Sequence, residues 1–132
     1  MIDAIPGLQQ ELAKIIEGFL ERAREELQEV RTLLRTTGPD GDAARERVVL
    51  VVHRIRGTSA LFGFSALSNC AAQLELAASA VDETRLEEWP AQRREQCRLL
   101  LNDLEDLLAA ALAHPHACSA ADAFAARTNS SA

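Results

Sequence analysis

Apolar side chains return every three or four residues along four separate stretches of this chain, and that spacing limits the fold to packed helices. Residues 8–35 place Leu8, Leu12, Ile15, Ile16, Phe19, Leu20, Ala23, Leu27, Val30 and Leu34 on this step among Glu, Gln and Arg. They predict one long amphipathic helix with a single face to bury. Gly18 interrupts it and marks either a kink or a close helix contact. Thr36 to Gly41 reads as a turn, with Asp42 placed to cap a second helix. That helix carries Ala44, Val48, Val51, Ile55 and Phe62 on one side and stops at Gly63. From Ser65, a third stripe runs through Leu67, Cys70, Ala71, Leu74, Ala78 and Val81.

Asp82 to Glu88 looks like a short helical turn, with Thr84 and Glu87 at capping-box spacing. Pro90, after Trp89, suits the first position of the last helix. There Cys97, Leu100, Leu101, Leu104, Leu107, Leu108 and Ala111 repeat at helical spacing up to His114-Pro115. Short connections turn four such helices into neighbours that run in opposite directions. The expected fold is all-α: an antiparallel four-helix bundle over residues 1–114, with a short extra helix. An Ala-, Ser- and Asn-rich stretch, 115–132, is expected to be a loose, flexible C-terminal tail.

Composition narrows the function classes. At 132 residues the chain is one domain's worth, and 4% aromatic residues with no Tyr suit helices better than sheets. A formal net charge of −6 argues against nucleic acid or an anionic membrane surface as partner. No apolar run is long enough to span a bilayer, and the start of the chain lacks a secretory pattern. Three Cys with no close pairing suit free thiols in a reducing compartment, so the expected location is the cytoplasm. No Gly-rich phosphate loop of the P-loop or kinase type is present, and no ATP-dependent kinase activity is expected.

The face of the second helix opposite its apolar stripe holds the residues with chemistry. Glu46, Val49, Leu50, His53, Arg56, Gly57 and Ala60 share it. Arg56 and Gly57 are the next-turn neighbours of His53 on that surface. Glycine inside a helix costs about 1 kcal/mol relative to alanine, so its presence needs a reason. Either a neighbouring helix packs on it, or its bare backbone lets another protein approach the ring. Arg56 would then supply positive charge where a phosphoryl group on the imidazole would sit. Val49, Leu50 and Ala60 are apolar yet outward-facing, which suits a docking patch for a partner helix; the other reading is cover by the first helix or a second copy of the chain. In a tight hairpin, residue 53 lies level with about residue 73, so Gln73 or Glu75 borders the ring. Gln73 can bond a phosphoryl oxygen; Glu75 repels one unless it is turned away or paired with a cation. Both also read as ordinary polar flank.

His53-Arg54-Ile55-Arg56-Gly57, then Gly63, then Leu67, Cys70, Leu74 and Glu75, together resemble the histidine-containing phosphotransfer (HPt) domain. That family reads His-x-Leu/Ile-Lys/Arg-Gly, five mostly small or apolar residues and a second Gly, followed by a Leu, a Cys and a Leu-Glu pair. The resemblance spans positions 53–75, and the Gly63-Phe64 pair is similar to the HPt module of chemotaxis kinases. Arg56 stands where Lys is commoner, which keeps the charge and changes its shape. The resemblance implies a phosphorelay carrier of two-component signal transduction, a phosphoprotein rather than an enzyme. His53 would take a phosphoryl group from a phospho-aspartate, Arg56 would steady its charge and Gly57 would give steric access. Val49, Leu50, Ala60 and Gln73 would meet the partner. That partner is the receiver domain of a response regulator or of a hybrid sensor kinase; Mg²⁺ is expected there, and no cofactor or metal on this chain, which is expected to act as a monomer. The alternative is a helical interaction module that binds a receiver or an enzyme through the same face without being phosphorylated. His114, His116 and Cys118 form a rival set of metal-ligating residue types, without a clear fourth ligand.

Overall fold

The computed structural model describes residues 6–35, 41–79 and 91–113. Four helices account for nearly all of them: α1 Pro6–Leu33, α2 Gly41–Leu61, α3 Ser65–Ser79 and α4 Ala91–Ala113. The described residues contain no strand. Of the expected turn at 36–41 only Gly41 is described, and α2 already begins there, which puts Asp42 inside its first turn rather than at its cap. The rest of that turn, the short helix at 82–88, Val81, Pro90, the His114/His116/Cys118 set and the tail 115–132 lie outside the described residues.

Pairings between side chains give the directions. Arg47 meets Glu29, Arg54 meets Glu26 and the rings of Phe62 and Phe19 lie 5.8 Å apart, so numbering falls in α1 as it rises in α2. His53 meets Glu75 and Ser68 bonds the carbonyl of Arg56, which makes α3 antiparallel to α2. Cys70 reaches the carbonyl of Leu100 and Arg93 that of Ala77, which reverses the direction again into α4. Arg31 of α1 closes the ring onto Asn102 and Glu105 of α4. The contact between α2 and α3 is the most extensive of the four.

The core is the one the periodicity predicts. Leu20, Ala23, Leu27 and Val30 of α1 pack with Val48, Val51, Val52 and Ile55 of α2, Leu67, Ala71, Leu74 and Ala78 of α3, and Cys97, Leu101, Leu104 and Leu108 of α4. Each large aliphatic side chain removed from water contributes about 1.5–3 kcal/mol. Two members of the predicted α1 stripe fall outside it: Leu8 and Ile15 are exposed. Ile16, beside Ile15, is buried and Leu12 packs against the core, so Leu8 and Ile15 lie on the edge of the stripe that is turned away from the other described helices. Gly18 is no helix contact either. A Cβ built there meets nothing within 4 Å, and α1 runs through the position.

The end of α2 has a complete hydrogen-bonded stop. The N–H of Phe64 donates to the carbonyl of Ser59 at 2.8 Å, and that of Gly63 to Ala60 at 3.2 Å. This is the paired closure of a Schellman motif, which needs a left-handed residue at its penultimate position. Gly63 supplies it with φ 83°. Phe64, fully buried, then drives the chain back into the core before α3 begins.

Cys70 and Cys97 are free and buried. Burial pushes the Cys70 thiol up to about 11, helped by the carboxylate of Asp103, and burial takes Cys97 to about 11 against the opposing charge of Arg93. Both thiols therefore stay protonated near neutral pH. Alkylation by iodoacetamide at pH 8, followed residue by residue by mass spectrometry, should be at least about a hundredfold slower at Cys70 and Cys97 in the native protein than in urea. For the turn, Gly63→Ala should destabilise the bundle by about 1 kcal/mol, because a Cβ is strained in the left-handed region. Thermal unfolding should show this as a loss of about 3–5 °C in Tm.

Candidate functional site

Helix α2 is held with Val48, Val51, Val52 and Ile55 inward, so the helical repeat turns His53 out. The side chain of His53 is 56% exposed. Its surroundings come from the two helices of one hairpin. Nδ1 of the ring lies 2.9 Å from Oε2 of Glu75 on α3. Oε1 of the same carboxylate lies 3.2 Å from Nε of Arg56, an ion pair without hydrogen-bond alignment. Nη2 of Arg56 is 3.1 Å from Nδ1. Ring, carboxylate and guanidinium thus form a closed triangle.

Nδ1 of a neutral imidazole cannot both donate to Glu75 and accept from Arg56. A lone pair on Nδ1 would face a carboxylate oxygen at 2.9 Å, which is repulsive, whereas a proton there makes a charge-assisted bond. The triangle therefore favours the tautomer with Nδ1–H donating to Glu75, and Arg56 neutralises the carboxylate from the other side. The lone pair of the neutral ring is then on Nε2. Glu75 is itself restrained, with its side chain only 19% exposed. Ser79 Oγ donates to its backbone carbonyl, and Ser68 Oγ donates to the carbonyl of Arg56, one turn after the histidine.

A groove of about 350 Å³ runs beside the ring, lined by Arg45, Glu46, Val49, Leu50, His53, Glu75 and Ser79. A larger hollow of about 570 Å³, between α1 and α4, is on the opposite side of the bundle and shares none of these residues. Val49 is half-buried at the edge of the core, while Leu50 and Ala60 are exposed; α1 does not cover Leu50. Gly57 is exposed, and a Cβ built there meets nothing within 4 Å. No neighbouring helix packs on this glycine. Gln73 is exposed on α3, and the α3 residue that meets the ring is Glu75. So Glu75 is more than polar flank.

Two members of this surface escape the sequence reading. Leu61 is 78% exposed, the most exposed large apolar side chain among the described residues. It follows Leu50 by three helical turns, on the same line as Gly57, and that spacing is the signal that would have found it. Ser68 has no such signal, because its role depends on how α3 meets α2. Among the described residues no group of three or more His, Cys, Asp and Glu is arranged to hold a metal ion, and no described helix is long and apolar enough to cross a membrane.

No curated protein and no solved structure matches the chain. The family model described as "Hpt domain" matches residues 14–114, which takes in all four helices but for the first turns of α1, and with them His53, Arg56, Gly57 and Glu75. With an exposed histidine on the second helix of an antiparallel four-helix bundle, the chain belongs to the Hpt domain family.

Proposed function

We propose that His53 is the phosphoryl acceptor of this carrier, served by Arg56, Gly57 and Glu75. Membership of the family makes the chain a histidine phosphotransfer carrier of two-component signalling, with a receiver domain as its partner and no ATP-dependent kinase activity of its own. The observation that supports His53 is its accessible ring, whose Nδ1 is engaged by a carboxylate while Nε2 keeps its lone pair.

In the proposed step, Nε2 attacks the phosphorus of a phospho-aspartate on the receiver. An N–P bond forms, the aspartyl O–P bond breaks, and the aspartate departs as a carboxylate. The ring keeps its Nδ1 proton and becomes a phosphorylated imidazolium. The positive charge it gains balances the negative charge regained by the aspartate. Glu75 accepts from Nδ1–H throughout, and its bond strengthens as the ring turns cationic. Arg56, held beside the ring by Glu75, adds positive charge to the neighbourhood of the incoming group. Transfer of this kind depends mainly on positioning and charge. Mg²⁺ is assigned to the receiver.

Gly57 serves access. A helical glycine costs about 1 kcal/mol against alanine, and the space around it shows no packing reason for it within the bundle. The open space is what a partner's backbone needs to bring its aspartate to the ring. Val49, Leu50, Ala60 and Leu61 supply apolar contact area, with Gln73 at the α3 edge. The residues 1–114 are taken as the working unit, supported by the end of α4 at Ala113 and of the family match at 114. We place the protein in the cytoplasm, supported by its free buried thiols.

Incubation with a phosphorylated receiver and Mg²⁺ should put acid-labile, base-stable phosphate on the chain. His53→Gln should abolish it with helicity unchanged; binding without labelling of the wild type would instead support the unphosphorylated interaction module. At position 57, stability and transfer should part company. Gly57→Ala should raise stability by up to about 1 kcal/mol in denaturant unfolding, whereas Gly57→Leu should slow transfer about tenfold or more without lowering the midpoint. Transfer at the wild-type rate by Gly57→Leu would refute the access role.

A further inference from the structure

Helix α2 carries four arginines along the hairpin, and they are treated differently. Arg47 forms a two-pronged bond with Glu29, Arg54 pairs with Glu26, and Arg56 pairs with Glu75. Arg45 is half-buried and lines the groove that holds His53, yet its Nε is shut from solvent with no hydrogen-bond partner. Glu46 lines the same groove and makes no ion pair with it. A guanidinium N–H withdrawn from water without an acceptor destabilises the folded chain. Its retention is explained if a partner that meets the groove draws the guanidinium outward and supplies the acceptor.

The position says what that acceptor is. Arg45 precedes His53 by eight residues on one helix, about 12 Å along the axis. The phosphoryl group being transferred is too far away to be its target. Between the two lie Val49 and Leu50, so one groove runs from a cation through an apolar floor to the imidazole. A helix or strand laid along it would present an apolar contact and, at the far end, a group that can accept from a planar guanidinium. The protein group that answers a guanidinium with both opposite charge and matching planar geometry is a carboxylate.

We propose that Arg45 is a specificity-determining residue, which binds an aspartate or glutamate side chain of the docking receiver at the end of the groove remote from His53. The proposal rests on His53 being the acceptor, since that assignment makes this groove the docking face. A fully desolvated guanidinium–carboxylate contact raises affinity for receivers that carry the acid and penalises those that leave the cation unpaired. Arg45 does not touch the reacting atoms; it acts through the placement of the partner.

The test uses the full chain and a panel of receiver domains phosphorylated with acetyl phosphate, from which the fastest donor is taken. With that donor, Arg45→Ala should raise KM about tenfold while kcat changes less than about twofold. Arg45→Lys should recover part of the loss, Arg45→Glu should exceed it, and the salt dependence of kcat/KM should flatten in Arg45→Ala. Phosphoramidate, a small donor that needs no docking, labels the ring directly; label mapped to His53 by mass spectrometry shows that each variant keeps a reactive ring, and circular dichroism shows that it is folded. A KM for Arg45→Ala equal to wild type, with His53-dependent labelling intact, would overturn the role of Arg45 alone. Transfer from the phosphorylated receiver that survives His53→Gln would overturn the acceptor assignment on which it rests.

Discussion

The rotational register between α2 and α3 is the constraint on which the site depends. Advancing α3 by one residue would swing Glu75 by about 100° around its axis and take its carboxylate away from the ring. Three features hold it. The left-handed turn at Gly63 sets the separation of the two helices, Phe64 anchors the turn in the core, and Ser68 bonds the backbone of Arg56 across the hairpin. Leu67, Cys70, Ala71 and Leu74 then lock the inward face of α3 against the bundle. Glu75 follows Leu74 and is brought to the edge of the interface, partly shielded and still within reach of a ring on the outer face. Packing that has nothing to do with phosphate chemistry thereby sets a hydrogen bond at the His53 ring.

The charges divide the labour further. Arg47 and Arg54 are spent on tying α2 to α1 through Glu29 and Glu26. Its hydrogen bond with Arg47 holds the Glu29 carboxyl below the usual range, the first cause of that shift, despite some opposing desolvation. By linkage, a lowered carboxyl favours the folded state above its unfolded pKa, and the advantage fades as acid protonates it. The pair is well exposed, so screening leaves it a small share of the stability. The apolar core sets both the stability and the way α2 is turned, and the ion pairs add to that register at the α1 edge. That orientation keeps His53 outward.

Much of this is legible in the residues alone, for reasons particular to them. The core faces of α2, α3 and α4 can be read because Val48, Val51, Ile55, Leu67, Leu74, Leu101 and Leu108 follow the helical repeat with little noise. Leu8 and Ile15 follow the same repeat and are nonetheless exposed, since periodicity says which side a residue is on and not whether a neighbour reaches it. The same limit applies at the site. An outward His53 with Arg56 and Gly57 beside it is a property of one helix. The choice between Gln73 and Glu75 is a property of two, and it turns on a rotation that hairpin spacing leaves open by a residue or two. Arg45 is illegible for a related reason: an arginine early in a helix looks like any solvated cation until its Nε is seen to be buried without a hydrogen-bond partner.

The triangle of His53, Glu75 and Arg56 also bears on how long a carrier of this kind keeps its cargo. Under the proposed assignment the phosphoryl group sits on Nε2, across the ring from Nδ1. Glu75 is held on the Nδ1 side by the ring N–H and by the guanidinium, so its carboxylate is turned away from the position where water would attack phosphorus. A base able to activate that water is kept out by the same contacts that make the ring nucleophilic. Arg56 contributes positive charge without offering a proton acceptor. Transfer then requires a partner that brings its own carboxylate and metal into line with Nε2, and the open backbone at Gly57 is where such a partner can come close. Under that assignment, selective reactivity toward a docked receiver, rather than toward solvent, follows from how Glu75 is tied down beside the ring.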